Sequence, residues 1–177
     1  MKNDNPAPPF QHVFDLGDLT QAGSTVNVRA DEEERARLAK WAGVDTVRTF
    51  GAKIELSKLS QTRFNFEAEL EADIVQSCVV TLEPVETYIS RHIARELHIS
   101  RHAEPGRGEL TLSAGDDDVP EMITSPDYDL AAPLLEEFVL AIDPYPRKEG
   151  AAFTPPETGK EASESPFGVL KKLQGRD

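Results

Sequence analysis

One stretch of this chain leaves little freedom of fold. From Phe64 to Cys78, side chains of opposite character alternate almost without fault. Phe64, Phe66, Ala68, Leu70, Ala72, Ile74, Gln76 and Cys78 share one parity; Asn65, Glu67, Glu69, Glu71, Asp73, Val75 and Ser77 share the other. A period of two is the mark of a half-buried antiparallel strand, dry on one side and wet on the other. A strand of this length exceeds the usual ~3–10 residues, so it is expected to bend, break or follow a strongly coiled sheet. Its wet face carries Glu67, Glu69, Glu71 and Asp73 in register. That row reads either as a solubilising face that discourages edge pairing or as a docking surface for a basic partner.

The flanking segments supply the rest of an α+β domain. Strands are expected near Gln11–Leu16, over Gly23–Arg29 and over Phe50–Leu56 with Val47, the last bending at Gly51. Asp31 and Glu34 fit a capping box, Glu32, Glu33 and Glu34 fill a first turn, and Gly43 suits a left-handed C-terminal cap. These signals define a helix over Asp31–Ala42, which Trp41 is expected to anchor to the sheet. A second helix begins at Asp129 as N-cap, carries Leu130, Leu134, Leu135, Phe138, Val139 and Ile142 as its apolar stripe, and stops at Pro144 and Pro146. Leu82-Glu83-Pro84-Val85 reads as a turn. Val85–Ile99 fits both a strand and a helix; its β-branched start and the turn before it favour pairing with Phe64–Cys78. A short strand is also expected at Glu109–Ser113.

The fold read from this pattern is a twisted antiparallel sheet of about five to six strands, closed on itself in a barrel-like way or covered by the two main helices. One domain over 10–146 is expected, with a disordered lead-in over 1–9 and a disordered tail over 147–177. That tail contains a short apolar island, Pro166–Leu173, in which Phe167 and Leu170 are docking candidates.

Charge narrows the function. The 177 residues carry 32 acidic and 19 basic side chains, a formal net charge of −13. Such a surface disfavours nonspecific binding to nucleic acid or anionic lipid and suits basic partners. No apolar run approaches the ~20 residues of a membrane span. Cys78 is alone, which forbids an intrachain disulfide and fits a reducing cytoplasm. The first ten residues read as neither a signal nor a transit peptide. There is no HExxH, no nucleophile-elbow GxSxG, and no phosphate-cradling GxGxxG or GxxxxGK[ST]. No catalytic residue, metal or cofactor is assigned, and the chain is read as a monomeric, non-enzymatic protein.

One local feature runs against the acidic background. Arg91, His92, Arg95, His98, Arg101, His102 and Arg107 cluster together. Arg suits bidentate phosphate recognition, so these residues are the RNA-contact candidates. The competing reading is a charge ladder, with the Arg side chains opposite Glu67, Glu69 and Glu71. In a regular strand, Arg91, Arg95 and Arg101 would fall on the parity of Ile89, Ile93 and Leu97.

Three segments, in order, resemble the YceD family, also called the large ribosomal RNA subunit accumulation proteins. They are Ala72–Val85 (ADIVQSCVVTLEPV), Asp129–Pro146 (DLAAPLLEEFVLAIDPYP) and Pro166–Leu170 (PFGVL). Cys78 fits the first Cys of the family's Cys-x-x-Cys turn, but Thr81 stands at the second position and no Cys follows Pro146. A zinc site of Cys-rich relatives therefore does not transfer, and Cys78 is expected to be a buried small apolar residue. The resemblance implies a role in accumulation and processing of 23S ribosomal RNA, with that RNA or a basic ribosomal protein or assembly factor as partner. In the mechanism expected here, Glu67, Glu69, Glu71 and Asp73, with Asp116, Asp117 and Asp118, hold the basic protein while Arg91–Arg107 meets RNA. The alternative is an acidic adapter that never touches RNA.

Overall fold

The structure is a computed structural model that describes residues 7–100 and 120–152. The chain runs β1 (Val13–Asp15), a single 3-10 turn (Leu16–Asp18), β2 (Ser24–Arg29), α1 (Glu32–Ala42), β3 (Thr46–Lys58), β4 (Arg63–Ser77), β5 (Pro84–Ile99), β6 (Glu121–Ile123), β7 (Asp127–Asp129) and α2 (Ala131–Ala141). Five strands form one sheet in the order β2-β3-β4-β5-β6, antiparallel except for the parallel β5–β6 pair. β1 and β7 form a separate two-stranded ribbon. The fold is α+β, as the sequence indicates, but the sheet stays open. β1 pairs with β7 instead of extending the sheet, and three-residue β6 ends it, so the barrel-like closure does not occur. Neither β6 nor β7 was anticipated, and the strand expected at Glu109–Ser113 lies outside the described residues.

β4 sits at the centre and is unbroken over its 15 residues. It pairs along its length with β5 and almost as far with β3. Phe64, Phe66, Ala68, Leu70, Ala72, Ile74 and Gln76 are buried on the inner face, and Glu67, Glu69 and Glu71 are exposed on the outer one. The register shift in β3 falls between Val47 and Thr49, not at Gly51, which remains paired with Glu71. Gly51 answers a different need. A Cβ there would lie 3.3 Å from the Val28 carbonyl oxygen and 3.5 Å from Arg29 Cγ, both on the neighbouring strand β2.

The helices close over the inner face. At α1 the full capping box forms: Asp31 Oδ1 accepts from Glu34 N at 2.8 Å and Glu34 Oε2 accepts from Asp31 N at 2.9 Å. Gly43 ends the helix at φ 70°. Leu38 and Ala39 enter the core, and Trp41 packs partly buried against it. α2 starts one residue later than expected, with Leu130 as N-cap. Asp129 belongs to β7 instead, and its Oδ1 accepts from both Ala131 N (3.0 Å) and His12 N (2.8 Å), tying helix start to ribbon. A chain of edge-to-face rings joins the layers: Phe10 on Phe50 at 5.5 Å and Phe50 on Phe138 at 5.3 Å. No helix among the described residues is long and apolar enough to cross a membrane.

The β4–β5 turn is organised around sulfur. Cys78 is fully buried, as expected, but it works as a hydrogen-bond acceptor rather than as apolar filler. Its Sγ accepts from Val80 N and Thr81 N, both at 3.5 Å, and from Lys148 N at 3.3 Å. Val79 N donates to Pro146 O at 2.9 Å, and Lys148 Nζ pairs with Glu83 at 3.1 Å. The ordered contacts thus continue past residue 146, where the sequence reading ended the domain. Donation from the Lys148 amide, then from Thr81 and Val80, holds the Cys78 thiol down at about 6. Leu82 completes the turn in the left-handed region (φ 60°), with its side chain in solvent.

Two outcomes follow. In urea unfolding, Leu70→Ala should cost about 2–5 kcal/mol, while Glu69→Ala one position away should stay within about 0.5 kcal/mol. Because the Cys78 thiol ionises more easily in the folded chain, the unfolded chain binds the extra proton between about pH 6 and the ordinary thiol range. Stability relative to Cys78→Ser should therefore rise with pH across that window and be lost as pH falls through about 6. Parallel pH-stability curves for the two proteins would exclude this role.

Candidate partner-docking face

The outer face of the sheet is built by parity. Successive outward residues on β4 stand about 7 Å apart along the strand, so Glu67, Glu69, Glu71 and Asp73 form the central row that the sequence indicated. Their neighbours across β3 are Glu55, Lys53, Gly51 and Thr49; across β5 they are Ala94, His92, Ser90 and Tyr88. Glu67 thus stands directly opposite Glu55, a like-charge pair that costs stability unless neutralised. Lys53 moves to Glu55 at 2.6 Å. That hydrogen bond and charge hold the Glu55 carboxyl below its usual range and the Lys53 ammonium above its own.

The rest of the face is compensated from its edges inward. Arg48 pairs with Glu86 at 2.6 Å, and its hydrogen bond and charge lower the Glu86 carboxyl. Arg63 Nε donates to Glu96 at 2.6 Å, and His92 Nδ1 meets Glu69 at 2.9 Å. Among the described residues Glu67, Glu71 and Asp73 have only neutral hydrogen-bond partners at close range. Asn65 Nδ2 donates to Glu67 at 2.8 Å and Thr49 Oγ1 donates to Asp73 at 2.6 Å. The Glu71 carboxylate, first of all by hydrogen bonding, holds the Tyr88 hydroxyl above its ordinary range, with burial and the Glu71 and Asp73 charges adding. The centre of the open face is therefore a negative band bordered by ion pairs, with the Arg48 charge reaching Asp73 and the Lys53 charge reaching Glu69.

The basic segment comes apart on the strand. Val85–Ile99 is strand and not helix, so His92 and His98 face outward while Arg91 and Arg95 face inward, opposite Leu70 and Phe66. The proposed ladder of Arg against Glu67, Glu69 and Glu71 does not form, because those rows lie on opposite faces. Arg95 is absorbed by the fold. Its guanidinium reaches Glu136 of α2 at 2.7 Å and Glu121 of β6 at 3.3 Å. Burial opposes its charge, but Glu136 and Glu121 outweigh this and strengthen the cation. Tyr128 donates to the same Glu121 oxygen at 3.0 Å, and burial, then Glu121, push its hydroxyl upward. Arg91 remains exposed, with one N–H on Ser90 O at 3.0 Å. Arg101, His102, Arg107, Asp116, Asp117, Asp118, Phe167 and Leu170 lie outside the described residues.

A second group of cations was missed. Arg29, Arg35, Lys53, Asn27, Thr49 and Gly51 help line a cleft of about 550 Å³ at the β2–β3 side of the sheet. The signal was present in parity: Arg29 falls outward on β2, directly across from Gly51. It was obscured because these cations are scattered along the sequence, whereas the β5 cluster is contiguous.

Residues 66–174, more than half of the chain, match the family described as Large ribosomal RNA subunit accumulation protein YceD. No curated protein and no solved structure gives a match.

Since Arg95 joins β5, β6 and α2, Arg95→Ala should destabilise the fold by about 1–2 kcal/mol by leaving Glu121 and Glu136 without their cation. Arg91→Ala should leave the urea midpoint unchanged. Equal midpoints for the two variants would show that the Arg95 network contributes nothing.

Proposed function

The chain belongs to the YceD family of large ribosomal RNA subunit accumulation proteins, and from that premise we propose that it supports accumulation and processing of 23S ribosomal RNA without catalysing a reaction. It does so by holding a basic ribosomal protein or assembly factor on the open face of its sheet, acting as a cytoplasmic monomer. The observation that carries this reading is the row Glu67, Glu71 and Asp73, in register on the central strand and hydrogen-bonded to neutral side chains.

The physics of such a face favours a cationic protein. A rigid strand fixes the carboxylates, so little side-chain entropy is lost when Lys or Arg side chains reach them. Complementary charge speeds encounter and rejects anionic competitors. Free ribosomal proteins are strongly cationic until RNA neutralises them. A carrier with a negative band would keep one soluble and release it to RNA, which offers the denser negative charge.

The adapter reading, in which the chain never touches RNA, is favoured by one observation: Arg95, a leading RNA-contact candidate, is spent on Glu121 and Glu136. Both readings place the basic protein on the same carboxylates.

The test is complementation. Cells depleted of the protein receive the wild-type chain or the triple variant Glu67→Gln, Glu71→Gln, Asp73→Asn, and ribosomal subunits are separated by sedimentation. The wild type should restore large subunits and 23S RNA; the variant, stable to within about 0.5 kcal/mol per site, should leave a selective large-subunit deficit. Full restoration by the variant would remove the docking face from the mechanism.

A further inference from the structure

The cleft at the β2–β3 side has a chemistry of its own. In a chain with a net charge of −13, most cations on the outer face are consumed: Arg48, Lys53 and Arg63 each meet a carboxylate. Arg29 and Arg35 are different. Among the described residues neither has an ion-pair partner, and both line the same cleft. They come from different elements, Arg29 from the end of β2 and Arg35 from α1.

The floor of the cleft is shaped for them. Gly51 offers no side chain, and the Arg29 stem lies where a larger residue would stand, with Cγ 3.5 Å from that position. Asn27, outward on β2, adds a neutral amide to the wall. Glu69 and Glu71 also line the cleft; Glu69 is hydrogen-bonded to His92 of β5, and Glu71 interacts with the Tyr88 hydroxyl of the same strand. β5 borders β4 on the side away from β3. Two guanidiniums without an ion-pair partner among the described residues and an amide thus line one cleft, whose two carboxylates have their hydrogen-bond partners on β5.

We propose that this cleft binds a phosphate group of an RNA backbone, with Arg29 and Arg35 as the phosphate contacts and Asn27 as a neutral donor. Guanidinium forks match phosphate oxygens in geometry as well as charge, and amide donors commonly supplement them at phosphate and sugar. This deepens the ribosomal RNA reading and rests on it. The cleft adjoins the negative band and shares Glu69 and Glu71 with it, so a basic protein and the RNA it must join would be held on one sheet. The contact is small, so affinity is modest and its salt dependence is the diagnostic quantity.

The test uses the full chain and a labelled single-stranded RNA of large-subunit sequence, ~20 nucleotides long, followed by fluorescence anisotropy between about 50 and 200 mM salt. Arg29→Ala with Arg35→Ala should flatten the plot of log affinity against log salt by about 1.4, near 0.7 for each lost phosphate contact on a single strand. Arg29→Lys with Arg35→Lys should recover most of the slope. Arg48→Ala, which removes one cation from the same face outside the cleft, should leave the slope unchanged. Both arginines lie at the surface, and an unchanged urea midpoint confirms that the double variant is folded. The proposal is overturned if the double alanine variant keeps the wild-type slope, or if the wild type binds no RNA at the lowest salt. The Glu67, Glu71 and Asp73 variant separates the two ideas. It should retain RNA binding, so loss of complementation with RNA binding intact supports both sites. Loss of the RNA slope in the arginine variant with complementation intact confines the function to the carboxylate face.

Discussion

Everything in this molecule leans on the way β4 is held. It is hydrogen-bonded to a neighbour on each side along nearly all of its length, with one face dry and the other wet. Seven inward side chains from Phe64 to Gln76 become the floor of the core, and α2 and the Phe10–Phe50–Phe138 ring chain build on that floor. The same backbone fixes the outward carboxylates at intervals no flexible loop could keep. Core and candidate docking face are two sides of one strand, so the stability of the first sets the rigidity of the second.

Charge is handled in two distinct ways. On the outer face, Arg48, Lys53 and Arg63 pair with Glu86, Glu55 and Glu96, and the centre is left negative. On the inner face, Arg95 occupies a position that parity gives to an apolar residue. It is tolerated because its aliphatic stem can run along the core while its head reaches the carboxylates of β6 and α2. The like-charge contact of Glu55 with Glu67 shows the tension directly.

Much of this was legible in the residues, and the failures have physical causes. Asp31, Glu34 and Gly43 announce α1 because caps act through local hydrogen bonds. The parity of Phe64–Cys78 announces β4 because burial there is strictly one-sided. β6 and β7 escaped because three-residue strands have no periodicity to read; long-range pairing alone creates them. The bend was placed at Gly51 on propensity, yet the register shift lies between Val47 and Thr49, and Gly51 stays in the ladder, opposite Arg29 and Glu71. The basic run on β5 looked like one patch because contiguity in sequence was taken for contiguity in space. Alternation divides it, and the cations that do share a cleft come from β2, α1 and β3. Cys78 was read as filler because the amide that completes its surroundings arrives from Lys148, far along the chain.

The two-sided character of β4 also dictates how this protein can change over generations. A single-residue insertion or deletion inside the strand would turn phenylalanines into solvent and carboxylates into the core along everything beyond it. Gains and losses there can be silent only in even steps, or where β-bulges absorb them. The turns at either end carry no such parity rule. Length variation among related chains should collect in those turns, and the spacing of the carboxylate row should drift far less than its composition.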